Sequence, residues 1–250
     1  MAERKDVAST QGATHSAGPY QVYFAGGLFT QHDLATNVLI KETVWRLSGG
    51  RFQPHLPQSK EARDLDRPDI EAFIRNQDLL AVVRCDIILA RFDGLELDSG
   101  TVIEFAVAKA LGKPTVILRS DTRRLSGKAL DDPYNLMLKG WSRTLEIHTD
   151  SFFSYADFLS RKRQAQSDSN SFQAAMEAEL EAVKKSTDEI AVHIIAGLEA
   201  VLKLKSPFPP EYQEVVYKAS RYSPGSGFDQ LLTEDELAII IQRLRNNGTL

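Results

Sequence analysis

Four carboxylates crowd one short stretch of this 250-residue chain: Asp93, Glu96, Asp98 and Glu104, all within Arg91–Glu104. Acidic groups held close together repel one another, and the repulsion spreads their pKa values into acid and base roles. One ionised carboxylate could stabilise or trap a cationic centre while a protonated neighbour hands a proton to a leaving group. Each residue also has an ordinary reading. Thr101-x-x-Glu104 fits a capping box, in which the Glu folds back on its own helix start, and Asp98 fits an N-cap. A helix start needs one or two such groups, and four exceed that need. Asp78 by default is a solvated helix residue, Tyr23 a core aromatic, and Asn135 an ordinary cap ahead of Leu136-Met137.

The elements around these residues alternate. Gln21–Gly26 is a short β-type run, followed by the turn Gly27–Thr30 and a helical pattern carrying Leu34, Val38, Leu39, Val44 and Trp45, with Gly49-Gly50 as its stop. Residues 51–57 suit a second strand and Gln58–Arg67 a polar loop. Pro68 then opens a helix containing Ile70, Phe73, Ile74, Leu79, Leu80 and Val83. Strands follow at 85–91, 114–118 and 144–147, with a helix over 99–111 that ends on Gly112. Strands alternating with helices predict a doubly wound, mostly parallel five-stranded sheet flanked by helices, of flavodoxin-like type, over residues 20–150. In such sheets ligands bind beyond the carboxyl ends of the strands, where the acidic turn would lie.

Residues 1–19 are polar and rich in Ser, Thr, Gly and Ala, and are expected to be a disordered lead-in. Residues 151–250 read as a helical C-terminal extension. Ser167–Ser171 is a polar break, after which Met176, Leu180, Val183, Thr187, Ile190, Ile194, Gly197 and Val201 alternate at spacings of four and three. That is a heptad-like seam, and it suits either a long helix lying on its own domain or a subunit contact. Thr187 and Gly197 fit it poorly. Helices near 210–219 and 233–245 follow, the second with Thr233-x-x-Glu236 as a capping box.

A net charge of −4 leaves no basic excess for a nucleic-acid backbone, so a polynucleotide partner is not expected. No apolar run reaches membrane-spanning length, and the first residues lack the apolar core of a secretory signal. The single cysteine, Cys85, can form neither an internal disulfide nor a thiolate cluster, so a reducing cytoplasm is the expected setting. The five histidines show no ligand-like spacing and no metal or cofactor is expected. The G-x-G-x-x-G fingerprint does not follow the first strand, which argues against a dinucleotide site.

In order along the chain stand Tyr23-Phe24-Ala25-Gly26-Gly27-Leu28-Phe29, then Asp78, then Asp98-Ser99-Gly100-Thr101-Val102-Ile103-Glu104, then Asn135-Leu136-Met137. Taken together they resemble the nucleoside 2-deoxyribosyltransferase family over about residues 20–150, although that family often has Gly-Pro in place of Gly26-Gly27. The resemblance implies a retaining, ping-pong exchange of the base of 2′-deoxyribonucleosides for a free purine or pyrimidine. It implies Glu104 as the nucleophile, Asp78 as the group handling the base's proton, and Tyr23 as the residue positioning Glu104. Asp98 and Asn135 would bind sugar hydroxyls, with Gly26, Phe29, Asp93 and Met137 completing the substrate site. It further implies a homo-oligomer, dimer or hexamer, in which a neighbouring subunit lends Asn135. Two other readings remain: hydrolysis of deoxynucleoside 5′-monophosphates on the same fold, and a non-catalytic nucleotide-sensing module. Gly26–Asp33 offers no Arg or Lys for a phosphate, only Thr30 and His32.

Overall fold

The computed structural model describes residues 18–59, 66–94, 96–121, 124–125, 128–129, 134–165 and 171–250. The expected disordered lead-in (all but its last two residues), most of the polar loop after residue 58, Asp132-Pro133 and most of the Ser167–Ser171 break lie outside them.

Five parallel strands form one sheet: β1 (Tyr20–Ala25), β2 (Phe52–His55), β3 (Ile87–Arg91), β4 (Thr115–Arg119) and β7 (Thr144–His148). They are arranged β2-β1-β3-β4-β7, the 2-1-3-4-5 order of a flavodoxin-like doubly wound sheet. The intervening pairs β5 (Arg124–Leu125) and β6 (Lys128–Ala129) make a small antiparallel hairpin that was not anticipated. Strands β3 and β4 are buried at every position, which is why they read as unbroken apolar runs: both faces are covered.

The two-residue period of the strands separates two cores. Val22, Phe24, Ile87, Leu89, Val116 and Leu118 face one layer, made by α1 (Gln31–Leu47) and α5 (Phe172–Val201). Tyr23, Ala25, Ile88, Ala90 and Ile117 face the other, made by α2 (Ile70–Arg84) and α3 (Ser99–Ala110). The seam residues Ile190, Ile194 and Val201, with Leu198, are buried in the first core. At roughly 1.5–3 kcal/mol for each large apolar side chain removed from water, this half of α5 contributes heavily to holding the sheet. Gly197 is explained by closeness of approach: a Cβ there would stand 2.7 Å from Cδ1 of Ile147 on β7.

Several local expectations shift. The helix expected from Pro68 begins at Ile70, with Asp69 as its cap residue. On α1 the buried positions are Asn37, Ile40, Thr43 and Val44, while Val38, Leu39 and Trp45 lie outward. Asn37 is drawn inward by its own bonds to Gly27 O and Gln58 Oε1, which rolls the helix away from the purely apolar solution. An additional helix, α4 (Ser151–Ala165), runs against α5. The C-terminal helices α6 (Pro210–Ser220), α7 (Phe228–Leu231) and α8 (Glu234–Asn246) pack on α2 through Leu79, Leu80 and Val83. Thr233 caps α8 as expected, accepting from Glu236 N at 3.2 Å. The chain end then closes the amino-terminal edge of the sheet: fully buried Asp86 accepts from Gln21 N, Arg243, Asn247 and Thr249.

Candidate active site

The carboxyl ends of β1, β3 and β4 carry the chemistry-bearing loops. Helix α3 starts at Ser99 with Asp98 as its N-cap, whose Oδ2 accepts from Thr101 N at 2.7 Å and from Thr101 Oγ1 at 2.8 Å. Thr101 is therefore a buried third residue of the helix and not its cap. Glu104 consequently sits well inside the helix, too far along to fold back on its start, and the capping-box reading fails.

Glu104 is instead engaged by β1. Tyr23 points into the α2–α3 layer, and its phenol donates to Glu104 Oε1 at 2.5 Å. Burial first, then the charges of Glu104 and Asp78, push the Tyr23 hydroxyl far above its usual range. It therefore stays protonated and a donor. Because Asp78 acts on the same phenol from α2, three elements bring one phenol and two carboxylates together, although they are separated by up to 81 residues.

Gly26 is buried, and the loop after it is held from beneath. Arg91, at the end of β3, points to the α1 face with its side chain 2% exposed. Its Nη2 donates to Asp33 Oδ1 at 2.6 Å and approaches Gly27 O at 3.4 Å. Burial would raise the Asp33 pKa, but hydrogen bonds from Thr30 and Arg91 outweigh it and hold the carboxyl below the ordinary range. Thr30 caps α1 by accepting from Asp33 N, and Phe29 beside it is 84% exposed. Arg91 and Asp33 are not legible as a pair from the chain alone; an arginine closing an apolar strand is the available signal.

Asp93 is turned inward. Its carboxylate accepts from Ser120 N and Ser120 Oγ, both at 2.6 Å, tying the β3 loop to the end of β4. Burial pushes its carboxyl above the usual range despite those bonds. Glu96 is exposed. Asn135 caps a short 3-10 turn over Leu136–Leu138, accepting from Met137 N at 2.9 Å. Beside it Met137 is 77% exposed. Trp141 steadies this turn, donating from Nε1 to Met137 O and meeting Phe105 edge-on. Among the described residues no cluster of three or more His, Cys, Asp or Glu could hold a metal ion, and no helix is long and apolar enough to cross a membrane.

Residues 22–137 match the family model of nucleoside 2-deoxyribosyltransferase. Over this segment the chain belongs to that family, whose members are enzymes acting on nucleosides and bases. Among solved structures, a conserved protein from Enterococcus faecalis V583 is 32% identical, with 44% of this chain and 69% of that chain covered and a TM-score of 0.40. A 2-deoxyribosyltransferase from Bacillus psychrosaccharolyticus is 21% identical, with 51% and 86% covered and a TM-score of 0.40. A CMP N-glycosidase from Clostridium botulinum is 18% identical, with 56% and 98% covered and a TM-score of 0.34. No curated protein matches the chain.

Proposed function

We propose that this protein exchanges the nucleobase of 2′-deoxyribonucleosides through a covalent deoxyribosyl–Glu104 intermediate. The observation that carries the reading is the 2.5 Å bond from the Tyr23 phenol to Glu104 Oε1, with Asp78 acting on the same hydroxyl. A phenol locked in its protonated form fixes the Glu104 carboxylate in place, where it would meet an anomeric carbon.

Glu104 attacks C1′, the C1′–N bond breaks with its electron pair passing to the base, and Asp78 delivers a proton to that base. The incoming base then attacks C1′ from the vacated side and releases Glu104 while Asp78 takes the proton back, so configuration is retained over two inversions. Protonation of the leaving base is worth about 10²–10⁴-fold in rate, and the adjacent carboxylate stabilises the oxocarbenium-like transition state. Without a 2′-hydroxyl, deoxyribose reaches that state more readily, so no metal is called for.

Asp98 uses Oδ2 for its helix cap, which leaves Oδ1 for a sugar hydroxyl. Gly26 and Phe29 would line the base side. Asp93 would act by holding the loop rather than by touching substrate. Asn135 spends Oδ1 on Met137 N, which leaves its amide N–H groups to grip a sugar in the site of a neighbouring subunit, with exposed Met137 beside it. Transfer to a base, rather than hydrolysis of a 5′-monophosphate, is supported by the loop at residues 26–33: the arginine beneath it is neutralised by Asp33. Incubation with deoxyinosine plus adenine or cytosine, followed by chromatography, should show the corresponding new deoxynucleoside. Release of hypoxanthine and free deoxyribose alone would replace this reading with the hydrolase.

A further inference from the structure

The heptad-like seam of α5 has two fates. Its second half is buried against the sheet, but in its first half Met176, Leu180 and Val183 remain 45%, 57% and 42% exposed. The inward side of this half belongs to other residues: Ala178, Ala182 and Ser186 are buried. Ion pairs Lys162–Glu181 and Arg163–Glu179 fasten α4 along the flank. At about 100° and 1.5 Å per residue, Met176, Leu180, Val183 and Thr187 form one stripe, roughly 16 Å long and well round from the α4 contact. An apolar row at alternating spacings of four and three is the geometry of a helix–helix seam.

The charges bordering the stripe say what covers it. Glu177 and Lys184, one heptad apart, lie along the same edge. In a parallel self-pairing in register that edge would face the opposite one, where Glu179 is already held by Arg163 at 3.3 Å and Ser186 is buried. In an antiparallel pairing the same edge meets itself reversed, and Glu177 falls beside Lys184 of the partner subunit, twice by symmetry. That pairing also sets Leu180 against Val183 and Met176 against Thr187 across the axis. The polar Thr187 then falls at the end of the seam and not at its centre, which accounts for a residue that fits a continuous heptad poorly.

We propose that the first half of α5 is an interface with a second copy of this chain, in an antiparallel, two-fold pairing centred between Leu180 and Val183. Such a contact is isologous, the commonest way for identical chains to associate. It is independent of the catalytic reading, since none of its residues belongs to the candidate active site.

The full chain is to be weighed in solution by light scattering coupled to gel filtration, with circular dichroism to confirm the fold. The wild type is expected to be an assembly with an even number of chains, and Leu180→Glu/Val183→Glu to halve its mass while remaining folded. Glu177→Lys alone and Lys184→Glu alone should each weaken association, and the double exchange Glu177→Lys/Lys184→Glu should restore it. A monomeric wild type, a mass unchanged by Leu180→Glu/Val183→Glu, or a double exchange no better than the singles would overturn the proposal. Base exchange measured on the same samples reads the catalytic proposal separately.

Discussion

The Tyr23 hydroxyl lies 2.5 Å from Glu104 Oε1, across the layer between β1 and α3. A hydrogen bond to a charged group contributes about 1.5–3 kcal/mol, so Tyr23→Phe should lower kcat by roughly 10–100-fold while the fold is kept. Glu104→Gln should leave no measurable exchange, with an unchanged circular dichroism spectrum. Retained turnover in the Gln variant would refute the nucleophile.

That relationship was only half legible in the sequence. Tyr23 on a strand and Glu104 on a helix could be read from periodicity and motif, but a capping box competed for Glu104. What decided between them was Asp98 taking the cap, three residues ahead of Thr101. The sheet was legible because β3 and β4 are apolar throughout and bounded by turns. The roll of α1 was not, because Asn37 makes a polar contact that apolar periodicity cannot see. Nor was α4 foreseen, since Ser151–Ala165 leaves Phe152 and Phe153 exposed and so presents no clean apolar stripe.

Asn135 gives a test of shared sites. Asn135→Ala is expected to reduce kcat/KM by at least an order of magnitude (~1.5 kcal/mol for a lost bond to a sugar hydroxyl), although the residue is exposed and remote in sequence from Glu104. If a neighbour supplies it, mixing Glu104→Gln with Asn135→Ala subunits should regenerate activity, because some mixed sites then carry both native residues. Two inactive variants that stay inactive after dissociation and reassembly would place the residue elsewhere.

The pair Arg91–Asp33 should show the asymmetry of buried ions. Removing Asp33 leaves a guanidinium that is 2% exposed beneath Gly27, with only the more distant Asp93 carboxylate, 3.9 Å from its Nε, as counter-charge. Asp33→Ala should therefore destabilise the fold by about 3 kcal/mol, whereas replacing both as Asp33→Leu/Arg91→Met should cost less than the single change. Urea denaturation of the three proteins measures the difference. A single variant as stable as wild type would mean that the charge is compensated by solvent.

Gly197 limits how closely α5 can lie on the sheet. An Ala Cβ at this position would stand 2.7 Å from Cδ1 of Ile147 and 3.4 Å from Cγ1 of Val116, so Ile147 must shift, at a cost that the helix propensity of Ala offsets only in part. Leu would have to displace both Ile147 and Val116, and should cost about 1–3 kcal/mol. Thermal melts of the two variants should diverge accordingly, and equal melting temperatures would mean that the helix can rise off β7.

Lys109 is buried against the amino-terminal edge of the sheet, where its ammonium donates to Lys113 O, Thr115 Oγ1 and Arg143 O. Burial, reinforced by the positive Arg143, brings its pKa down to about 7 from 10.5. The folded value lies below the unfolded one, so between those two pH values the unfolded chain holds a proton that the native chain has lost. Stability from this residue should then rise with pH across that window. Other groups of the unfolded chain also lose protons in that window, so the comparison must be with Lys109→Met. The stability difference, wild type minus variant, should grow as pH is raised from 7 to 9 in urea titrations (about two pH units inside the window). A difference independent of pH would show that the three acceptors keep the ammonium charged and that burial does not govern it.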